Sequence, residues 1–247
     1  MIDALYGRYS RRKDKLLDPK YKPSDAIAGR SLVNGRSDKL AIIFPSWHTH
    51  NFPVNILSKR LAKKGWAVLV YDFHDQIIEP NEDMVADSFR FIRDTITSEI
   101  QNLVNRHEYQ QIHLIGISLG NMPLALVADK LKNFTGATIV VGGDDLAVDM
   151  WYGLRTQNYR QAFEKLHVSL RKLDDEWQGV SPANHVKSFA GKKVKFVMSL
   201  NDEFVMTKYQ KRLADKIAEA GANLTVVPRR FGHTISIIWF CLFEPPL

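Results

Sequence analysis

A single serine stands between two glycines in the segment from Gly116 to Gly120, which reads G-I-S-L-G and follows a short apolar run. Glycines two residues before and two residues after a serine allow a strand and a helix to approach closely, so that the turn between them presents the hydroxyl. A serine hydroxyl is a weak nucleophile until a neighbouring base removes its proton, and that base is usually a histidine oriented by a carboxylate. Ser118 is therefore a candidate nucleophile for acyl transfer if the chain also supplies a histidine and a carboxylate.

His233 is the candidate base. The order serine, acid, histidine is expected along the chain when the nucleophile lies in a strand-turn-helix segment. Several histidines follow Ser118, but only His233 follows the last predicted strand, in the segment F-G-H-T. Gly232 and the loop around it would let the imidazole reach across the ends of the strands.

Two places in the chain could supply the carboxylate. Asp202 follows a late predicted strand, in S-L-N-D-E-F-V, and is the favoured candidate, whereas the adjacent Glu203 would point in a different direction. Asp144 and Asp145 follow the preceding predicted strand and form the alternative. The favoured triad takes its acid from the later loop, and the earlier pair remains open.

The segments around these residues predict an α/β fold. Short apolar runs that are typical of buried strands lie at residues 40–44, 66–71, 112–117, 137–141, 194–198 and 223–227. They alternate with segments whose apolar residues have helical spacing, including 53–64 and 85–104. This alternation indicates a mostly parallel central sheet with helices on both faces. Asn34-Gly35 suits a tight turn and predicts an antiparallel hairpin at residues 27–44 that opens the sheet.

A further segment lies between the fourth and fifth of these runs, and it is longer than one crossover helix requires. Its apolar residues lie partly at helical spacing. We predict a small helical insertion at residues 144–185 that caps part of a pocket, with Trp151 as a substrate-binding residue.

From about residue 27 to the C-terminus, the chain resembles the α/β-hydrolase family. The resemblance rests on G-I-S-L-G, the N-D-E-F-V loop and the terminal G-H pair, which occur in this order and after the expected strands. The stretch K-K-G-W-A-V-L-V-Y-D-F-H is similar to the family's entry into its fourth strand, which gives Asp72 an architectural role. The resemblance implies an acyl-enzyme mechanism that needs no cofactor.

The resemblance also implies an oxyanion hole of two backbone N–H groups, one of them from the residue after the nucleophile. That residue is Leu119. The second donor would come from the segment F-P-S-W-H, in which Pro45-Ser46 replaces the His-Gly of many relatives. By this register the donor is Trp47, and Ser46 is the neighbouring option.

Two other functions are open at this stage. His48 and His50 form an H-x-H motif, and His74-Asp75 follows the next strand, so histidines and a carboxylate could bind zinc or iron at one edge of the sheet. The preferred interpretation is that His48 binds substrate as part of the pocket wall, and no metal is predicted. The second alternative is a non-catalytic binding module with a hydrolase-like fold. A dinucleotide site is a weaker alternative than either of these, because no G-x-G-x-x-G follows a strand.

The composition fits one domain of this kind, preceded by a basic N-terminal arm at residues 1–26. The chain has 247 residues, of which 45% are hydrophobic and 25% are charged. Its net charge is +7, but the basic cluster at residues 11–15 comes with no nucleic-acid-binding motif, so no nucleic acid partner is expected.

The apolar run at residues 235–243 is shorter than the ~20 residues that cross a bilayer, so we expect a buried helix and no membrane span. The single cysteine excludes an intrachain disulfide.

These observations predict a serine hydrolase that cleaves a small-molecule carboxylic ester with an apolar acyl part. A cytoplasmic location is expected, because the N-terminal residues do not resemble a secretory signal. A thioester of an anionic carrier such as coenzyme A is the second candidate substrate, and an amide or peptide is the third, because the same three residues serve all of them. The sequence does not define an oligomeric state.

Overall fold

A seven-stranded sheet forms the centre of the molecule. The structure is a computed structural model that describes residues 21–33, 37–47, 52–78 and 82–244. Within these ranges the strand order is β1-β3-β2-β4-β5-β6-β7, and every neighbouring pair except β1 with β3 is parallel. The predicted mostly parallel sheet is confirmed, and each of the predicted apolar runs overlaps a strand. The strands are β1 (Ile27–Val33), β2 (Lys39–Phe44), β3 (Ala67–Phe73), β4 (Gln111–Ile117), β5 (Gly136–Val140), β6 (Lys193–Ser199) and β7 (Asn223–Arg229).

The N-terminal strand β1 is antiparallel to its neighbour, as predicted, but that neighbour is β3 and not β2. Ser31 lies opposite Val70, and β3 separates β1 from β2. The Asn34-Gly35 dipeptide lies outside the described residues. Residues 40–44 of β2 are fully buried, and a continuous apolar strand of this kind is stabilised best between two parallel neighbours. β1 is largely exposed, which suits the edge of the sheet.

Helices cover both faces of the sheet, as predicted. Because side chains alternate along a strand, Ala41 and Ile43 of β2 face one side, whereas Leu40 and Ile42 face the other. Two helices pack on the first side, α1 (Phe52–Lys63) and α8 (His233–Phe243). Three helices pack on the second side, α2 (Glu82–Arg106), α3 (Asn121–Lys130) and α7 (Thr207–Glu219).

The predicted helical insertion lies between β5 and β6. It contains α4 (Leu146–Tyr152), α5 (Gln157–Lys165) and α6 (Leu170–Trp177). Phe163 and Trp177 are fully buried and contact each other edge to face, with 5.7 Å between their ring centroids. Both belong to the same core as α2 and α3, so these helices extend the main core of the domain.

The apolar run near the C-terminus forms the predicted helix, α8, but only one face of it is buried, and Ile235, Trp239 and Phe243 are exposed. Arg60 of α1 donates hydrogen bonds to the carbonyl oxygens of Cys241 (2.7 Å) and Glu244 (2.9 Å), which satisfies the last turn of this helix. Within the described residues, no helix combines the length and the apolar character that crossing a bilayer requires.

Candidate active site

Ser118 lies in a tight turn between β4 and α3. Its φ of 53° is in the left-handed region, which non-glycine residues adopt rarely. A Cβ on Gly120 would overlap the carbonyl oxygen of Phe44, and a Cβ on Gly116 would lie 2.6 Å from the Asn121 side-chain oxygen. The two glycines therefore allow the strand and the helix to approach as closely as the sequence pattern predicts.

Asn121 holds this turn in place, which the sequence analysis did not predict. Its side-chain amide donates to the carbonyl oxygens of Ser118 (2.8 Å) and Val140 (3.0 Å), so it ties the turn to the neighbouring strand β5. Asn121 is buried, and buried polar groups need hydrogen-bond partners. In the sequence, a polar residue at the first position of an otherwise apolar helix was the signal that could have indicated this role.

The imidazole of His233 reaches the Ser118 hydroxyl. The distance from its Nε2 to the serine Oγ is 2.8 Å. His233 is the first residue of α8, is buried, and has its backbone N–H bonded to a carboxylate oxygen of Glu203 at 3.1 Å. Glu203 therefore fixes the start of the helix and leaves the imidazole free to face the serine.

The other imidazole nitrogen of His233 contacts Asp202. The Nδ1 atom lies 2.9 Å and 2.8 Å from the two carboxylate oxygens, and the aspartate side chain has no exposed surface. Asp202 also accepts hydrogen bonds from the backbone N–H groups of Phe204 (2.9 Å) and Val205 (2.8 Å) and from the Gln210 amide (2.8 Å). A carboxylate only accepts hydrogen bonds, so this geometry places the proton on Nδ1 and leaves Nε2 to accept from the serine.

The alternative acids lie elsewhere and have other partners. Asp144 forms ion pairs with Arg212 and with Lys216, the latter at 3.7 Å. Asp145 caps α4 by accepting a hydrogen bond from the backbone N–H of Val148 at 3.0 Å. The structure therefore brings Asp202, and neither of these two residues, to the histidine.

A pocket lies beside the serine, and most of its wall is apolar. Ser118 lies at this pocket, and Thr156 and Asp149 add polar groups to it. The indole N–H of Trp47 donates to the carbonyl oxygen of Asp75 at 2.8 Å, which fixes one side of the wall. The apolar lining includes Trp47, Leu119, Met122, Leu146, Met150 and Phe204.

The other predicted site residues fall into three groups. Leu119 and Trp47, the predicted oxyanion donors, both line the pocket with Ser118. Trp151 is not among the residues that line the pocket, and its role in substrate binding stays a prediction. Its ring instead lies 5.4 Å from the guanidinium carbon of Arg160. His48 lies outside the described residues.

Asp149 is a pocket residue that the sequence analysis missed. Both of its carboxyl oxygens are buried and have no hydrogen-bond partner among the described residues. Burial, followed by the nearby carboxylates of Asp144, Asp145 and Asp202, raises the pKa of Asp149 well above its usual range, while Arg212 opposes them. In the sequence, the signal for a pocket role was an aspartate between Leu146 and Met150, on the apolar side of a short helix.

The described part of the chain contains no group of three or more histidine, cysteine or acidic side chains that could hold a metal ion. His48 and His50, on which the metal alternative depended, lie outside it. His74 accepts a hydrogen bond from the backbone N–H of Gln76 at 3.2 Å, and its ring lies 5.0 Å from that of Tyr21.

Comparison with solved structures identifies the fold. An esterase from Pyrococcus furiosus matches with a TM-score of 0.61 and 13% identity over 87% of this chain and 78% of its own. An acylaminoacyl peptidase from Pyrococcus horikoshii matches with a TM-score of 0.63 and 11% identity over 87% of this chain and 37% of its own. A cold-adapted esterase from an Arctic intertidal metagenomic library matches with a TM-score of 0.56 and 12% identity, over 83% and 77% of the two chains.

The sequence itself matches no protein-family model and none of the curated proteins. The similarity to the solved structures is therefore one of fold, and the chain has the α/β-hydrolase fold.

Proposed function

We propose that this protein is a serine hydrolase that cleaves carboxylic esters through an acyl-enzyme. The observation that carries the proposal is the continuous hydrogen-bonded series from the Ser118 hydroxyl through His233 to Asp202, with heavy-atom distances of 2.8 to 2.9 Å. Ser118 directly follows β4, Asp202 lies in the loop after β6, and His233 is the first residue of α8. Proton transfer between them needs no rearrangement.

The proposed first step forms the acyl-enzyme. The Oγ of Ser118 attacks the carbonyl carbon of the substrate while Nε2 of His233 removes its proton, and Asp202 stabilises the imidazolium. The backbone N–H groups of Leu119 and Trp47 donate to the oxyanion, and each such donor contributes about 3 kcal/mol to transition-state stabilisation. His233 then gives its proton to the leaving alkoxide. In the second step, His233 removes a proton from water, which attacks the acyl carbon. The bond from that carbon to the Ser118 Oγ then breaks, His233 returns the proton to Oγ, and the acid leaves.

The pocket supports a substrate with an apolar part. Trp47, Met122, Leu146 and Phe204 offer a largely apolar surface beside the nucleophile, and burial of one methylene group there contributes about 0.8 kcal/mol to binding. Thioesters of an anionic carrier are the second candidate, because the same nucleophile attacks them and the net charge of +7 attracts anions.

A panel of chromogenic esters, acyl thioesters and aminoacyl amides tests the proposal. The wild-type protein is expected to hydrolyse short and medium-chain esters, and Ser118→Ala should lower kcat by about 10³-fold or more. A Ser118→Ala variant with full activity would show that another group is the nucleophile. If the folded wild-type protein hydrolyses no member of the panel, the non-catalytic binding module becomes the better account.

A further inference from the structure

The carboxyl group of Asp149 is a polar group without a hydrogen-bond partner among the described residues, in a mostly apolar wall. The residue is 6% exposed, and neither of its oxygens has a hydrogen-bond partner within the described residues. Buried polar groups in proteins are normally hydrogen-bonded, and an exception next to a nucleophile requires a functional explanation. Asp149 lines the same pocket as Ser118, so a substrate bound beside the nucleophile lies next to this residue.

The backbone next to Asp149 leaves room for this carboxyl group. A Cβ on Gly143 would overlap all three atoms of the carboxyl group, so any other residue at that position would displace it. Gly143 follows β5, and it also lines the pocket. The glycine and the aspartate therefore form one local arrangement that keeps a carboxyl group at the wall.

The surroundings of Asp149 are acidic, and the nearby positive charges are already paired. Arg212 and Lys216 both pair with Asp144. Asp145 accepts from a backbone N–H. The resulting negative field disfavours an anionic group of a substrate at this wall and favours a cationic one.

The type of side chain also indicates a cation. A neutral hydroxyl or amide of a substrate would be bound equally well by an asparagine, which lacks the cost of burying an acid. What a carboxyl group adds is the capacity to become an anion. An ammonium group supplies three N–H donors together with a positive charge, which satisfies both carboxyl oxygens at once.

We propose that Asp149 determines specificity by binding a protonated amino group of the substrate, so that the site prefers amino-substituted esters. This inference rests on the proposed ester hydrolysis. Burial and the neighbouring carboxylates raise the pKa of this carboxyl group and so favour its protonated form in the empty pocket. When an ammonium ion enters, the carboxyl proton passes to water, and when a neutral amine enters, it takes that proton directly. Both routes end in the same carboxylate–ammonium pair.

Two matched pairs of substrates test the inference, and in each pair an ammonium group replaces a methyl group of the same size. The first pair places it on the acyl side and compares nitrophenyl 3-aminopropanoate with nitrophenyl butanoate. The second places it on the alcohol side and compares 3-aminopropyl butanoate with butyl butanoate. For the wild-type protein we expect kcat/KM to be about 10- to 100-fold higher for the amino member of at least one pair, as for other charge-assisted hydrogen bonds.

The variant Asp149→Asn should lower this ratio to near one. Asp145→Asn is the matched control, since it removes a neighbouring carboxylate that does not line the pocket, and asparagine retains the helix cap. It should lower the ratio far less than Asp149→Asn does and leave the hydrolysis of the plain esters unchanged. A wild-type ratio near one in both pairs would overturn the inference, as would a preference that survives in Asp149→Asn. If Asp149→Asn does not fold, a wild-type ratio near one in both pairs still overturns the inference.

Binding to Ser118→Ala separates this inference from the proposed mechanism, because it requires no turnover. Ligand-observed NMR with butylammonium and butanol is expected to show about tenfold or tighter binding of the cation. The preference should disappear in the double variant with Asp149→Asn. Equal binding of the two ligands to Ser118→Ala would contradict a cation site at Asp149, whatever the protein hydrolyses. Preferential binding without any ester hydrolysis by the wild type would contradict the proposed function and leave the cation site supported.

Discussion

Four donors converge on the carboxylate of Asp202. They are the backbone N–H groups of Phe204 and Val205, the amide of Gln210 and the imidazole of His233. A buried carboxylate is stable only when its oxygens are satisfied in this way. The same bonds fix the direction in which the carboxylate faces the histidine, so this one residue links local stability to the orientation of the base.

At the scale of this residue, we predict that Asp202→Asn lowers kcat by about 10⁴-fold while the protein remains folded. An asparagine amide would donate to Nδ1 and hold the imidazole in the tautomer that cannot accept the serine proton. Steady-state hydrolysis of a nitrophenyl ester measures the change, and circular dichroism checks the fold. Asp145→Asn is the control with the same change of atoms and should retain wild-type activity. Loss of activity in Asp145→Asn but not in Asp202→Asn would move the acid to the earlier loop.

At the scale of elements, the turn between β4 and α3 depends on the absence of a side chain at position 120. The carbonyl oxygen of Phe44 in β2 occupies the place that a Cβ would take, and a backbone atom in the middle of a sheet cannot move aside easily. The position of Ser118 therefore depends on how closely the start of α3 approaches β2.

We predict that Gly120→Ala destabilises the protein by at least about 1–3 kcal/mol, the usual cost of overpacking, and lowers ester hydrolysis as well. Urea unfolding measures the first effect and steady-state kinetics the second. Gly179→Ala is the control, because a Cβ there has no heavy atom within 4 Å and the residue does not have a positive φ. Equal stabilities of the two variants would show that the turn is not as tightly packed as described.

At the scale of the whole molecule, the buried acid at Asp149 links the substrate pocket to the pH dependence of stability. In the unfolded chain an aspartate loses its proton near pH ~3.9, whereas in the folded protein burial keeps it protonated to higher pH. Above pH ~3.9 the unfolded chain therefore binds fewer protons than the folded one, and this group makes stability fall as pH rises. The fall ends at the raised pKa of the folded state.

We predict that Asp149→Asn removes this contribution. The free energy of unfolding of the variant minus that of the wild type should increase as the pH rises above ~3.9, by up to about 1.4 kcal/mol per pH unit. This gain should level off at higher pH. Urea unfolding at a series of pH values measures it. The exposed Asp215→Asn should show a nearly constant difference from the wild type. A gain that shrinks with rising pH would mean that Asp149 is ionised and stabilising in the folded protein.

The sequence was sufficient for the strands and for the order of the three candidate catalytic residues, since continuous apolar runs and glycine spacing are local signals. It was not sufficient for the partner of β1, which depends on how deeply β2 is buried. It was also not sufficient for the rotation of α4, because apolar residues at helical spacing predict a helix but not which of its side chains reach the pocket. Asp149 and Gln210 were missed because their roles arise from contacts between distant segments.

Fluorophosphonate labelling tests the central claim most directly, which is that Ser118 is an activated nucleophile. The folded wild-type protein is treated with the reagent, and peptide mass spectrometry locates the adduct. We expect a single phosphonyl adduct on Ser118, its loss in Ser118→Ala, and labelling slowed by orders of magnitude in a variant that replaces His233 with alanine. An unlabelled folded protein, or an adduct on another residue that persists in Ser118→Ala, would contradict the account.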